Sequence, residues 1–249
     1  MLINKRQSRQ PSGAFKLRAE IGFDSFILPG VGADLVTGAP VVMGAESVLS
    51  QGAVGTAAVG TGTSTPTMAS IANGSTFMAT TSATIVYAGK LIARFNTGGG
   101  SIGQFGGGSQ LGAYIPYSDG KVYWDFGGYT EGTNRLSVAG LSFSDSDVFV
   151  FTVGARGMEI WQNGIKRASN SATPTSTIIS TAFGVHQRSN AGGTDRMRTY
   201  AFGYARKQLP TDVCAELSRD LWGTAFVQRR RGIVAGIAAA ARRRVVFWG

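Results

Sequence analysis

Apolar and polar residues alternate along much of this chain with a period of two, the spacing of a pleated strand with one buried face. The strongest segment departs from that alternation. Residues 147–153 (DVFVFTV) set Val148, Val150 and Thr152 on one face and Phe149, Phe151 and Val153 on the other. Both faces are apolar, which predicts a central strand covered on two sides. The turn Gly154-Ala155-Arg156-Gly157 leads into an alternating strand at 158–162, and Asn163-Gly164 predicts a tight type I′ hairpin, because both residues tolerate positive φ. Ile165-Lys166-Arg167 forms the returning strand.

Further strands are predicted at 84–88 and 91–95, flanking Gly89-Lys90, at 121–126 after the turn Ser118-Asp119-Gly120, and at 196–205. Between Glu46 and Lys90 there is no charged residue, and this Gly, Ala, Thr, Ser and Val segment reads as short strands and loops. Residues 96–113, rich in glycine, read as a surface loop. One helix is predicted in the body, at 211–222, started by Pro210, Thr211 and Asp212, with Val213, Ala215, Leu217 and Leu221 contributing to an apolar stripe. No repeat of 20 to 50 residues is present. Many short strands, Gly-rich turns and one late helix point to an antiparallel sandwich or jelly roll.

Charge changes this picture only at the ends. The chain has 249 residues, 24 of them basic and 14 acidic, for a net +10. Residues 1–18 carry Lys5, Arg6, Arg9, Lys16 and Arg18 and no acid, while 227–249 carry Arg229, Arg230, Arg231, Arg242, Arg243 and Arg244 and no acid. Residues 19–226 hold the other 13 basic residues and all 14 acids, a net of −1. The expected organisation is a basic N-terminal arm (1–18), a neutral body (19–226) and a basic, partly apolar C-terminal arm (227–249). The N-terminus lacks the apolar stretch of a secretory signal. Residues 232–241 (GIVAGIAAAA) are only ten residues long, against the roughly 20 that cross a bilayer, so no membrane span is expected. The Ala-rich run favours a helix, while Val245, Val246, Phe247 and Trp248 favour an extended strand. The arm reads first as a docking element for a neighbouring subunit. A membrane-surface helix or a nucleic-acid arm is the alternative.

Three passages resemble the laminin G-like, concanavalin A-like jelly-roll family. Residues 148–165 (VFVFTVGARGMEIWQNGI) look like its apolar strand, Gly turn and aliphatic-aromatic-x-Asn-Gly hairpin, with Trp161 where Tyr is more usual. Residues 183–186 and 192–204 resemble its penultimate strands, and 209–217 its short late helix. The Trp-containing stretch 221–226 (LWGTAF) and the early segment Asp34-Leu35-Val36-Thr37-Gly38 are similar to versions from bacteriophages and prophages. The resemblance spans residues 20–226 and implies an all-β antiparallel sandwich of the concanavalin A-like jelly-roll type with one short C-terminal helix, to which the charge distribution adds extended basic terminal arms.

Catalytic chemistry finds little support. A glycoside hydrolase needs two carboxylates across the sugar. Asp145 and Asp147 are the only i, i+2 acidic pair of the body, but Ser-Asp-Ser-Asp reads as a turn; Glu131 is isolated, and the Glu-x-Asp-x-x-Glu pattern of hydrolases with this fold is absent. The single histidine, His186, lacks a G-x-S-x-G elbow, and the single cysteine, Cys214, excludes an intrachain disulfide and a cysteine metal cluster. Asp119, Asp125, Asp145, Asp147 and Asp195 are too dispersed to define a Ca²⁺ site, although Asp145 and Asp147 could supply two ligands from one loop. No cofactor is expected. Residues 98–103 (GGGSIG) match G-x-G-x-x-G as a string but do not open a helix.

Aromatic residues remain. Tyr114, Tyr117, Tyr123, Trp124, Tyr129 and Trp161 gather in the strand-rich middle. Exposed rings stack on sugars or anchor protein partners, which makes Tyr123, Trp124, Tyr129 and Trp161 the candidate contacts, although alternation sends Tyr123 and Trp124 to opposite faces. The leading expectation is a non-enzymatic bacteriophage virion component, such as a capsid decoration, head-fibre or tail protein. Lys5, Arg6, Arg9, the two Arg triplets, Phe247 and Trp248 would grip other virion proteins and copies of itself. The alternative is a glycan-binding adhesin for the host surface.

Overall fold

The computed structural model describes residues 17–44, 47–60, 67–79, 81–93, 101–104, 111–117, 119–174, 178–186, 189–190, 193–194 and 196–226. In chain order its strands are β1 (Ser25–Ile27), β2 (Val41–Met43), β3 (Ser47–Gln51), β4 (Thr56–Gly60), β5 (Thr67–Ala79), β6 (Ala83–Ala93), β7 (Ser101–Gln104), β8 (Leu111–Tyr114), β9 (Val122–Phe126), β10 (Arg135–Val138), β11 (Val148–Gly154), β12 (Gly157–Gln162), β13 (Ile165–Asn170), β14 (Ile178–His186), β15 (Ser189–Asn190), β16 (Gly193–Thr194) and β17 (Arg196–Ala205). Helices α1 (Thr211–Arg219) and α2 (Leu221–Ala225) follow. One sheet runs β13-β12-β11-β6-β17-β4-β3 with β1 also on β17, the other β10-β9-β8-β7-β14-β5-β2, and β15 pairs with β16. All these ladders are antiparallel. The protein is an antiparallel β-sandwich.

Two apolar layers hold it together. Between the sheets lie Ile85, Tyr87, Trp124, Phe126, Phe149, Phe151, Phe202 and Tyr204. A second layer, on the outer side of the larger sheet, packs Phe26, Val148, Val150 and Trp161 with Leu217 and Trp222 from the C-terminal helices and Phe226 just beyond them. β11 therefore sends Phe149 and Phe151 inward and Val148 and Val150 outward under the helices, and every one of its residues is buried. This is the twice-covered strand that its two apolar faces predict. The hairpin also forms as expected, with Asn163 at φ 52° and Gly164 at φ 82°. The Asn163 amide donates to Asp147 at 2.8 Å and its Oδ1 accepts the Val148 N–H at 3.0 Å, which ties the turn to the start of β11.

Four expectations change. The single helix at 211–222 is two helices broken at Asp220, whose φ of −149° is extended and whose carboxylate accepts the Gly223 N–H at 3.0 Å, capping α2. The two strands expected on either side of Gly89-Lys90 are one, because β6 runs on through it. The partner β17 absorbs the irregularity with one extra residue, Thr199 facing Gly89 and Ala201 facing Ala88. Part of the 96–113 surface loop is strand, β7 and β8, held by β14 and β9; the rest lies outside the described residues. The uncharged segment contains a 13-residue strand, β5, where short ones were expected; Ala69, Ser70, Ala72 and Ala79 stand along the ladder to β14 and weaken any alternating signal.

Gly89 is required by its surroundings. Its φ is 153°, and a Cβ there would lie 2.1 Å from the Arg198 carbonyl oxygen and 2.5 Å from the Tyr87 hydroxyl. Gly89→Ala is expected to cost about 3 kcal/mol, read as a lowered midpoint in thermal or urea denaturation. An unchanged midpoint would show that the β17 bulge adjusts to a side chain.

Candidate functional site

The β8, β9 and β10 end of the smaller sheet builds a cup on its outer face. β9 (VYWDF) alternates, with Val122, Trp124 and Phe126 in the inter-sheet core, so Tyr123 and Asp125 face outward. Register fixes their neighbours. Tyr114 on β8 and Ser137 on β10 stand across from Tyr123, and Gly112 and Arg135 stand across from Asp125. The β8–β9 connection adds Tyr117, whose N–H donates to the Lys121 carbonyl at 2.7 Å and whose carbonyl accepts the Gly120 N–H at 3.0 Å. Gly120, at φ 83°, takes the positive dihedral of this turn. The β9–β10 connection adds Tyr129, which is 52% exposed.

Arg135 organises the interior of the cup. Its Nε donates to Asp125 Oδ1 at 2.6 Å and its Nη2 to Oδ2 at 2.7 Å, a bidentate pair with a carboxylate that is fully buried. The guanidinium carbon lies 4.5 Å from the Tyr123 ring centre and 5.0 Å from that of Tyr129, within cation–π range of both. Tyr117 meets Tyr114 at 5.4 Å and 79°, and Tyr123 at 5.6 Å and 89°, edge to face in each case. Tyr114, Tyr117, Tyr123, Tyr129 and Arg135 enclose a cavity of about 280 Å³.

Two further carboxylates border it. Asp119 accepts the Lys121 N–H at 3.0 Å and the Tyr123 hydroxyl, and Glu131 accepts the Ser137 N–H at 3.0 Å. Burial raises the pKa of Asp125 above the ordinary carboxylate value, with Arg135 pulling against it. For Asp119 the desolvation that would raise its pKa is outweighed by the Tyr123 and Lys121 hydrogen bonds, and it lies below the ordinary value. Desolvation and the hydrogen bond to Asp119 push the Tyr123 phenol up to about 12.

The structure brings Tyr123 and Tyr129 together but withdraws the two tryptophans. Trp124 is 0% exposed, because it occupies the inward phase of β9; its indole N–H donates to the Thr152 carbonyl at 3.1 Å. Trp161 is 6% exposed in the layer beneath the helices, with its N–H on Glu159 at 3.0 Å. Neither ring offers a face to a sugar. Arg135 and Asp125 carry no sequence motif; the available signal was an acid at an outward position of a strand otherwise made of apolar and aromatic residues. Asp145 and Asp147 form a turn and serve separate networks, Asp145 with Arg198 at 2.8 Å and Tyr200 at 3.0 Å, Asp147 with the Ser144 N–H at 2.8 Å and Gln162 at 3.0 Å. Among the described residues no three His, Cys, Asp or Glu side chains gather as a metal-holding group. The arm residues at 1–16 and 227–249 lie outside the described residues, as does the side chain of His186. A larger cavity, about 500 Å³, lies among Thr81, Ser82, Gly154, Arg156, Pro174 and Gln208; its one cation, Arg156, donates to the Leu209 carbonyl at 2.6 Å.

No family model and no curated protein matches the sequence. Solved structures do match the fold. The binding domain of Paraclostridial Mosquitocidal Protein 1 superposes with a TM-score of 0.55 and 14% identity, over 78% of this chain and 51% of that one. The receptor binding domain of botulinum neurotoxin D gives 0.55 and 13%, over 80% and 53%. A Trypanosoma rangeli sialidase bound to difluorosialic acid gives 0.53 and 15%, over 88% and 36%. The chain thus spans about half the length of the toxin binding domains, and identities this low show the fold alone.

The tyrosine cup makes a prediction for high pH. A phenol with a raised folded pKa contributes stability that is full below its unfolded value near 10 and lost as pH climbs through its folded value. Tyr123 at about 12, with buried Tyr87 and Tyr204 also raised by desolvation, is expected to make stability fall from pH 10 upward. Ultraviolet tyrosinate titration alongside thermal melts checks this, and Tyr123→Phe should remove one late-titrating hydroxyl. Melting temperatures that stay flat to pH 12 would contradict it.

Proposed function

We propose that this chain is a non-catalytic carbohydrate-binding domain whose site is the cup of Tyr114, Tyr117, Tyr123, Tyr129 and Arg135. The observation that carries the reading is the cup itself, where four phenols and a guanidinium surround about 280 Å³ on an outer sheet face. Aromatic rings offer apolar faces to sugar C–H groups while their hydroxyls serve sugar hydroxyls, the mixture that small-ligand sites use. The fold agrees, since its structural neighbours include toxin receptor-binding domains, and one structure is described as botulinum neurotoxin type C entering cells through two ganglioside molecules.

Local chemistry also speaks against hydrolysis, despite the sialidase among the neighbours. Asp125 is closed by Arg135, and Glu131 is engaged by a backbone N–H. A tyrosine nucleophile needs a lowered pKa or a strong neighbouring base. Tyr123 is pushed upward instead, and its partner Asp119 is a weakened base. A glycan array followed by calorimetry tests the reading. Tyr129→Ala, at an exposed position, is expected to weaken sugar binding roughly ten-fold, about 1.4 kcal/mol, with the melting temperature unchanged. Unchanged affinity would remove the cup as the binding site.

A second reading, attachment through the terminal stretches, is favoured by the way the two ends of the body meet. Leu17 bridges Phe226, and the Arg18 N–H donates to the Ala225 carbonyl at 2.8 Å. Both basic segments therefore join the sandwich at adjacent backbone positions. On this reading 1–18 and 227–249 fasten the body to copies of itself or to the other proteins of a virion, and the laminin G-like resemblance to phage proteins concerns that setting. A chain cut after Phe226 is expected to keep its melting temperature and lose its association, measured by light scattering. Retained association would place the contact in the body.

A further inference from the structure

We infer that the tyrosine cup takes an uncharged saccharide and discriminates against sialylated or otherwise carboxylated ones; this rests on the carbohydrate-binding reading and narrows it to one ligand class. An anionic sugar is held by a cation whose donors are turned toward the ligand. Arg135 gives Nε and Nη2 to the buried Asp125, at 2.6 and 2.7 Å, and its guanidinium carbon lies 4.5 and 5.0 Å from the ring centres of Tyr123 and Tyr129. Its charge is neutralised where it stands, and it acts as a strut between two walls of the cup. Lys121 lies beside Asp119, which already accepts the Lys121 backbone N–H.

The rest of the border is acidic. Asp119 is fixed by the Tyr123 hydroxyl, and Glu131 by the Ser137 N–H. Asp119, Asp125 and Glu131 outnumber Lys121 and Arg135 by one, so the rim and floor carry a net charge of −1. A ligand carboxylate entering here meets the carboxylates of Asp119 and Glu131 against the single ammonium of Lys121. An uncharged ring loses nothing by this arrangement and keeps the phenol faces and hydroxyls. Discrimination through repulsion of the wrong ligand is an ordinary route to specificity. It also separates this cup from two of its structural neighbours, one a neurotoxin that interacts with gangliosides and one a sialidase bound to difluorosialic acid.

The test is calorimetric titration of the full chain with pairs of oligosaccharides that share one core and differ only by a terminal sialic acid. The uncharged member is expected to bind about ten-fold more tightly or better. The gap should shrink at high salt, because part of the repulsion is screened. It should shrink again in the double variant Asp119→Asn, Glu131→Gln, which keeps a hydrogen-bond acceptor at each position and brings the local charge to +1; near-ultraviolet circular dichroism confirms that the variant is folded. Equal or tighter binding of the sialylated member overturns this inference and leaves the carbohydrate reading standing. Binding of no saccharide, charged or uncharged, overturns both.

Discussion

The phase of β9 is the constraint on which the site depends. Trp124 fills the space between the sheets, lies 5.8 Å from Phe151 on β11, and donates its indole N–H to the Thr152 carbonyl of that same strand. A one-residue slip of β9 would expose this ring, leave the carbonyl without its donor and push Asp125 into the apolar core. The cost of that exchange locks the strand. Once Trp124 is inward, Tyr123 and Asp125 are outward by geometry alone, and the register with β8 and β10 delivers Tyr114 and Arg135 beside them. The core and the cup are therefore two consequences of one alternation.

The larger sheet supplies rigidity from behind. β11 is hydrogen-bonded on both edges, to β6 and β12, and packed on both faces, by the inter-sheet core and by the layer under α1 and α2. Asp147, buried just before it, gathers the Ser144 N–H, the Gln162 amide and the Asn163 amide, so the turn that leads into β11 and the hairpin between β12 and β13 share one acceptor. Thr84 joins the same structure to the last crossing of the chain, accepting the Leu209 N–H at 3.0 Å and donating to the Lys207 carbonyl at 2.8 Å. The surface that Trp124 leans on is thus fixed at both ends.

Where side-chain pattern and backbone geometry coincide, the fold was legible from residues alone. β11, the Asn163-Gly164 hairpin, β17 and the start of α1 all carry strong local signals. The misreadings have a common physical origin in small residues. Gly89 separates two expected strands because glycine weakens a strand pattern, yet here it allows a close approach to the Arg198 carbonyl across a bulge, a requirement set by a strand more than 100 positions later. About half of β5, β7 and β8 is Gly, Ala and Ser, which interrupt any alternation of apolar and polar residues. Of the site, the gathering of tyrosines was visible and its chemistry was not. Trp161 looked as accessible as Tyr129, because nothing local reveals that helices more than 40 residues onward cover it. Arg135 was invisible because its role depends on register with Asp125, a tertiary relation between two strands.

On the proposed carbohydrate-binding reading, the compensation of Arg135 by Asp125 bears on affinity as well as on selectivity. A buried ion pair is poor evidence of stability, because desolvating both ions offsets most of their attraction. Its value here is positional. The guanidinium is anchored through two hydrogen bonds and so holds the Tyr123 and Tyr129 rings at fixed distances, while Tyr117 holds Tyr114 and Tyr123 edge to face. A ligand entering such a cup has few wall side chains left to order, and that ordering is one of the main costs that separate contact area from affinity. Neutral sugars are strongly hydrated and gain little from any single contact, so a site for them depends on walls that are already in place. Replacing Arg135 would then disturb two tyrosines at once and leave a buried carboxylate without its partner, which makes the pair a structural precondition of the cup and not one more group for the ligand to touch.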